Sequence, residues 1–189
     1  MRPLRTGVPM TSPHTTEEKL TRSLALLLEK KPFEKITVAE LVSTSNIAKR
    51  TFYYHFKDKY DLAPWFYVHE LDEFFEAHDT YTFEEFLAHS VEVVWKDRSV
   101  LKSIVRYTGQ NNVPDALLEP LLERYLSVIT QVTHAAVPER IIRLTRFFVG
   151  GTITYAVEEV SKEQPESPAA AIPFLLACLP AELKTYLGI

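Results

Sequence analysis

Apolar residues recur along this chain at the spacing of amphipathic helices, and no segment shows the alternation of a β-strand. The first helix is predicted over about Thr16 to Lys30, behind a capping box of Thr15 with Glu18. A second capping box, Thr37 with Glu40, begins a short helix that ends at the turn STSN. The pattern therefore predicts an all-α protein.

The segment TVAELVSTSNIAKRTFYYHFKDK, residues 37–59, predicts two short helices joined by a tight turn. Asn46 lies in the turn, where asparagine tolerates the left-handed conformation that glycine otherwise supplies. The second helix is predicted over about Ala48 to Phe56. With the preceding helix, these elements make a three-helix head that contains a helix-turn-helix.

The second of these helices separates apolar from polar side chains. At helical spacing, Phe52 and Phe56 point inward, and the opposite side carries cationic, hydroxyl and phenol groups. Lys and Arg donate to guanine, Thr contacts the thymine methyl, and Tyr reaches phosphate oxygens, so this face favours DNA in the major groove. A solvated helix with tyrosines at an oligomer contact is the alternative. The outward residues are Lys49, Arg50, Thr51, Tyr53 and Tyr54, and His55 and Lys59 extend the positive edge.

The remainder of the chain also has a helical pattern. Pro64 lies near the start of the first body helix and should kink it or shift its beginning. The predicted domains are a disordered arm (1–14), a helix-turn-helix domain (15–58) and a helical-bundle effector-binding and dimerisation domain (59–189). The predicted body helices are 59–77, 83–96, 99–107, 114–135, 138–162 and 169–186, the last broken at Pro180.

Helix 138–162 is apolar around most of its circumference and contains Gly150 and Gly151, which suggest close helix packing. Together with helix 169–186 it predicts a homodimer through a four-helix bundle across a two-fold axis. The alternative is that helix 138–162 forms the central core of the body itself.

Charge divides the chain into a basic head and an acidic body. Residues 1–59 hold 11 Lys and Arg against 6 Asp and Glu, a net charge of +5, and residues 60–189 hold 10 against 19, a net charge of −9. A polyanionic partner is therefore expected for the head alone. The single Cys178, the lack of a signal peptide and the lack of a membrane span predict a cytoplasmic protein that binds no membrane.

The body contains few residues whose type and spacing indicate a particular binding site or reaction. Aromatic and polar residues within its apolar helices suggest a small-molecule effector site, although each alone fits ordinary core or surface. His69 and Glu73 have the spacing of a ligand pair, but no third ligand is fixed, so neither metal nor cofactor is predicted. No catalytic motif occurs, which argues against an enzyme. The candidate effector residues are Trp65, His69, Trp95, Arg106, Tyr107 and Tyr125.

The run TVAELVSTSNIAKRTFYYHFKDKYDL resembles the DNA-binding signature of TetR-type repressors. KPFEKITV and TFYYHFKDKYDL are similar to the branch of dihydroxyacetone-kinase operon regulators. Asn46 replaces the usual turn glycine, and Ala48 replaces the usual Ser or Asn cap. The resemblance implies a homodimer on a pseudo-palindromic double-stranded DNA operator, with an effector-binding body. By motif position it transfers DNA contacts to Thr37, Lys49, Arg50, Thr51, Tyr53, Tyr54, His55 and Lys59.

The predicted function is a sequence-specific DNA-binding transcriptional regulator, a repressor that a small-molecule effector or partner releases. The competing hypothesis is a co-regulator or ligand-sensing protein–protein module that has the same fold and does not bind DNA.

Overall fold

The computed structural model describes residues 15–105 and 113–189, so the predicted arm (1–14) lies outside the described residues. Those residues form α-helices and one 3₁₀ turn (Phe33–Lys35), with no strand among them, which confirms the predicted all-α class. The helices are α1 (Thr16–Leu28), α2 (Val38–Ser45), α3 (Lys49–His55), α4 (Lys59–Ala77), α5 (Phe83–Lys96), α6 (Arg98–Val105), α7 (Val113–Thr133), α8 (Glu139–Ser161), α9 (Pro168–Cys178) and α10 (Ala181–Leu187).

Local side-chain chemistry sets where several helices begin. Thr15 with Glu18 and Thr37 with Glu40 form the predicted capping boxes, and Thr82 with Glu85 forms a third at the start of α5. In each box the threonine oxygen accepts from the N3 backbone N–H, while the glutamate accepts from the backbone N–H of the threonine.

Proline has different effects at two positions. Helix α4 runs unbroken from Lys59 to Ala77 with Pro64 buried inside it, so it begins where the pattern predicts. Pro64 has no backbone N–H, so it cannot donate the usual helical hydrogen bond to the carbonyl four residues earlier. At Pro180 the predicted break is complete, and α9 and α10 meet at a bend of 99°. No described helix has by itself the length and apolar composition to cross a membrane; only this bent pair reaches that threshold when taken together.

The buried side chains form two hydrophobic cores. The head core joins Leu20, Leu24, Phe33, Leu41 and Phe52 of the first three helices and the 3₁₀ turn. The body core is larger and lies among α4, α5 and α7 to α10. Head and body share two helices. The head core extends beyond residue 58, because it also takes in Leu62 and Ala63 of α4 and Ile104 of α6.

The outer face of α8 and α9 carries large aromatic side chains that no described residue covers. Phe147 is 78% exposed and Phe174 is 48% exposed, although Phe148 and Val149 of α8 are buried. A Cβ atom added at Gly150 or Gly151 would meet no atom of the described residues within 4 Å. Close packing at this glycine pair therefore does not occur among the described helices of one chain, and α8 keeps an exposed side although it is apolar around most of its circumference.

Candidate DNA-binding surface and effector cavity

Helix α3 is held by the turn before it and by its own aromatic residues. Asn46 adopts φ 55° and ψ 35°, the predicted left-handed conformation, and the Ile47 N–H donates to the Val42 carbonyl. Ala48 occupies the N-cap without a side-chain hydrogen bond, so the predicted lack of a cap is observed. Phe52 and Phe56 are 0% and 2% exposed in the head core. Their burial fixes which side of α3 faces outward.

The outward side of α3 presents cationic and phenolic groups to solvent. Lys49 and Arg50 are exposed, and neither has a carboxylate partner among the described residues. Tyr53 is 52% exposed and Tyr54 is 85% exposed, and Thr51 lies half-buried between them. Exposed tyrosines beside cations that have no carboxylate partner among the described residues form a face suited to a partner.

Three predicted DNA-contact residues already have partners inside the head. The His55 Nδ1 atom lies 2.8 Å from a Glu17 carboxylate oxygen and so ties α3 to α1. The Thr37 hydroxyl and backbone N–H both donate to Glu40 in the capping box. These contacts hold the helix-turn-helix together from within.

Lys59 is the most fully engaged of these residues. Its ammonium group donates to the carbonyl oxygens of Phe33, Glu34 and Ile36 at 2.8, 2.9 and 2.8 Å. It also lies 4.9 Å from the Phe33 ring centroid and 5.1 Å from that of Tyr60. Burial lowers the pKa of the Lys59 ammonium. Because an ammonium has three N–H donors, this residue has none left for a phosphate.

The body contains a cavity of about 60 Å³ among α4 to α9. Two predicted effector residues, Trp95 and Tyr125, lie in its wall, and Tyr67 lies there as well. Arg106 and Tyr107 lie outside the described residues. The sequence pattern therefore identifies two of the aromatic side chains that share this cavity.

The other two predicted effector residues, Trp65 and His69, line a separate cleft between α1 and α4. His69 Nε2 lies 3.6 Å from a Glu73 carboxylate oxygen, as the spacing suggests, and Trp65 packs edge-on against Phe56. The described residues hold no group of three or more His, Cys, Asp and Glu side chains that could bind a metal. Helix periodicity alone does not distinguish the cleft side of α4 from the cavity side.

Several polar groups in the cavity wall are hydrogen-bonded to one another or to the backbone. Tyr67 donates to the Ser90 carbonyl at 2.9 Å, and Tyr125 bonds to the Ser90 side chain. Burial raises the pKa of both phenols. The Thr152 hydroxyl donates to the Phe148 carbonyl at 2.9 Å. Both phenols are therefore neutral in the wall.

Helix α6 links this cavity to the head. Leu101 and Val105 lie in the cavity wall, and Ile104, between them along the helix, is 1% exposed in the head core. The N-terminal end of α6 is fixed to the α8–α9 loop, because Arg98 and Lys102 both donate to the Lys162 carbonyl. The apolar periodicity of α6 predicts a buried face but does not show that the face divides between two cores.

A three-helix head in which the cationic side of α3 is exposed, carried on a helical body with a cavity, is the arrangement typical of helix-turn-helix DNA-binding regulators. Residues 23–64 match the family described as Bacterial regulatory proteins, tetR family. The match covers 42 of the 189 residues, so it shows similarity to this family over the head alone.

The same fold occurs in solved structures across nearly the whole chain. One is named Dihydroxyacetone kinase operon activator DhaS (16% identity, 90% of this chain and 97% of that one, TM-score 0.58). A TetR transcriptional regulator from Streptococcus agalactiae 2603V has 18% identity over 87% and 93% of the two chains (TM-score 0.55). The TetR family repressor AlkX from Dietzia sp. strain DQ12-45-1b, implicated in biodegradation of n-alkanes, has 15% identity over 86% and 96% (TM-score 0.50). These likenesses establish the fold alone. No curated protein sequence matches the chain.

Proposed function

We propose that this protein is a cytoplasmic, homodimeric repressor that binds a pseudo-palindromic operator and is released when a small molecule occupies the body cavity. The DNA-binding part of this proposal rests on the outward face of α3, where Lys49, Arg50, Tyr53 and Tyr54 are exposed. Phe52 on the opposite side is buried and anchors α3 in the head core. A recognition helix in the major groove presents this combination of donors and phenols.

The packing of the head divides the predicted DNA contacts into two groups. We assign direct contact with DNA to the outward residues Lys49, Arg50, Thr51, Tyr53 and Tyr54. Thr37, His55 and Lys59 instead hold α2, α3 and the 3₁₀ turn in place, because their polar atoms are bonded inside the head.

Mobility-shift titrations of the DNA upstream of the gene test this assignment. Arg50→Ala should weaken binding by about 10- to 100-fold, the usual effect of losing a base-reading contact. Lys96→Ala, which changes an exposed lysine of α5 with an ion pair to Glu70, is the matched control and should bind like the wild type. If the wild type does not retard this DNA at low salt and Arg50→Ala behaves identically, the chain is a protein–protein module.

We assign the dimer interface to the uncovered apolar face of α8 and α9. Phe147 and Phe174 lie on this face, and the open space beside Gly151 leaves room for a partner helix. A second copy related by a two-fold axis would cover the same residues on both chains. The resulting four-helix bundle would satisfy the apolar circumference of α8 that one chain leaves exposed.

Sedimentation velocity tests the interface. Phe174→Asp places a charge in the proposed interface and should weaken dimerisation by at least about 100-fold. Leu26→Asp is the matched control, because Leu26 on α1 is 49% exposed, close to the 48% of Phe174, and lies on another face. DNA affinity should fall with dimerisation, since two heads bind two half-sites. A Phe174→Asp protein that remains a dimer would exclude this interface.

Two helices are suited to carry the effector signal from body to head. Helix α4 has Leu62 in the head core and Leu71 in the body core, and α6 has Ile104 in the head core and Leu101 at the cavity. An effector that favours one arrangement of these helices shifts the spacing of the two heads away from successive major grooves, about 34 Å apart. Repression itself is tested with a reporter gene placed behind the upstream DNA. Its expression should rise when the gene for this protein is deleted and fall when that gene is restored.

A further inference from the structure

We propose that the body cavity takes a compact, uncharged and mainly apolar molecule, an inference that rests on the proposed function of the chain as an effector-controlled regulator. Among the described residues, the cavity wall provides a large apolar surface, no charged side chain and a few hydroxyl groups that already have partners. This combination selects a class of ligand by its charge.

The wall of the cavity is aliphatic and aromatic. None of the described residues that line it is Lys, Arg, Asp, Glu or His, so a bound ion would find no counter-charge. Burying a charge without a partner is far more costly than burying an apolar group of the same size. The aliphatic part of the lining includes Val91, Val94, Leu101, Leu121, Val149 and Ile153.

Three hydroxyl groups in the wall, those of Tyr67, Ser90 and Tyr125, are linked through Ser90. The Tyr125 hydroxyl bonds to the Ser90 side chain, the Ser90 hydroxyl donates to the Phe86 carbonyl, and Tyr67 donates to the Ser90 carbonyl. These hydroxyl protons are therefore already donated within the protein, and the hydroxyl groups can offer a ligand only the lone pairs of their oxygen atoms. An anion would need donors that the wall does not offer, whereas a neutral molecule with one hydroxyl is tolerated.

Charged groups lie just outside the wall, at its solvent side. Trp95 and Tyr155 both line the cavity, and both bond to the exposed residue Glu166, the indole N–H to its carbonyl and the phenol to its carboxylate at 3.1 Å. The cavity volume of about 60 Å³ is several times the roughly 10–15 Å³ that one water needs. The space therefore holds a small apolar group, and a ring of the size of toluene requires the wall to open further. Trp95 in the wall reports on whether the cavity is occupied.

The two tryptophans of the chain allow a direct test, because Trp95 lines the cavity and Trp65 lines the separate cleft. In the full-length Trp65→Phe protein, the fluorescence of Trp95 reports on the cavity alone. Toluene, benzoate and benzylammonium serve as neutral, anionic and cationic probes of similar size. We expect saturable quenching or a spectral shift with toluene, and binding of both ions weaker by at least about 100-fold.

Filled-cavity variants show whether the signal comes from this site. Val94→Phe in the Trp65→Phe background should weaken toluene binding by at least about 10-fold, because the larger ring occupies the space. Ala156→Leu, also in the wall, is the second variant should Val94→Phe fail to fold by circular dichroism. Val132→Phe, a partly buried residue that does not line the cavity, is the matched control and should bind toluene normally.

The inference is overturned if toluene gives no saturable signal, if either ion binds as tightly as toluene, or if the filled-cavity variants retain full affinity. A mobility-shift arm separates this result from the proposed function. Toluene should lower the fraction of upstream DNA bound by the wild type and leave the filled-cavity variant unaffected. Toluene binding without retardation of DNA by the free protein would overturn the DNA-binding role and leave the ligand class standing.

Discussion

Replacing Lys59 by methionine tests whether this residue supports the head or contacts DNA. Methionine keeps an apolar side chain of similar length and removes the ammonium group that the carbonyl oxygens of Phe33, Glu34 and Ile36 share. Those carbonyls belong to the 3₁₀ turn that precedes α2 and to the residue after it. The substitution therefore removes donors from backbone acceptors without removing much packing.

The expected loss of stability follows from these contacts. Hydrogen bonds to a charged group contribute about 1.5–3 kcal/mol each in buried settings. The Lys59 side chain is only half-buried and Glu34 is exposed, so water replaces much of the lost interaction. We expect a net cost of about 2 kcal/mol, which corresponds to a fall in Tm of about 4–8 °C for a chain of this size.

Two measurements distinguish the roles of Lys59. Thermal unfolding gives the change in stability, and DNA affinity measured at several salt concentrations gives the number of phosphate contacts. For a residue that supports the head, the slope of log affinity against log salt should equal that of the wild type once the protein is folded. Lys57→Met, a change at the neighbouring exposed lysine, is the control for loss of charge and should leave Tm unchanged.

The opposite pattern would refute this reasoning. If Lys59→Met unfolds at the temperature of the wild type and its salt slope is shallower by about 0.9, the ammonium group contacts a phosphate in the complex. In that case the Lys59 ammonium group exchanges its three bonds to backbone carbonyls for a DNA phosphate, with little loss of free energy.

Three further changes test other features of the head. Ala48→Ser supplies the missing acceptor at the start of α3 and should raise the unfolding free energy in urea by about 1 kcal/mol; an unchanged value would show that a cap is not needed there. Asn46→Gly should change the unfolding free energy by less than about 1 kcal/mol, whereas Asn46→Val should cost about 1–2 kcal/mol at φ 55°, and equal effects would contradict the strain argument. The pKa of Glu40 is lowered from 4.5 to about 2, first by Lys31 and then by Thr37, so its contribution to stability is complete above about pH 4.5 and is lost as the pH falls towards 2. Glu40→Gln should therefore flatten the acid dependence of the urea midpoint, and an unaltered acid limb would show that other groups govern it.

Features that depend on residues close together in sequence agree well with prediction. The bounds predicted for α4 and α5 are those observed, and both predicted capping boxes form. Asn46 takes the left-handed conformation and Phe52 is buried, so the outward face of α3 is the predicted one. Capping, periodicity and turn chemistry act over three or four residues, and the sequence contains all the partners that they need.

The effector residues show where this reasoning stops. Trp65 and Trp95 both stand in apolar helices, yet one lines the cleft between α1 and α4 and the other lines the cavity. Tyr67, two positions from Trp65, faces the cavity and bonds to Ser90, which lies 23 residues away in sequence. The direction in which each side chain points is decided by how α4 and α5 pack on their neighbours. Periodicity predicts only that each helix has a buried face.

The sequence by itself determined the helical class, the helix-turn-helix and the cationic face of its second helix, because each follows from contacts between near neighbours. Only the tertiary structure decided that Lys59 turns to carbonyls 23 to 26 residues earlier, that α6 joins the cavity to the head core, and that the space beside Gly150 and Gly151 stays open. These outcomes depend on which helices meet and at what angle. That choice is made by the packing of the whole chain, in which distant side chains compete for the same buried space.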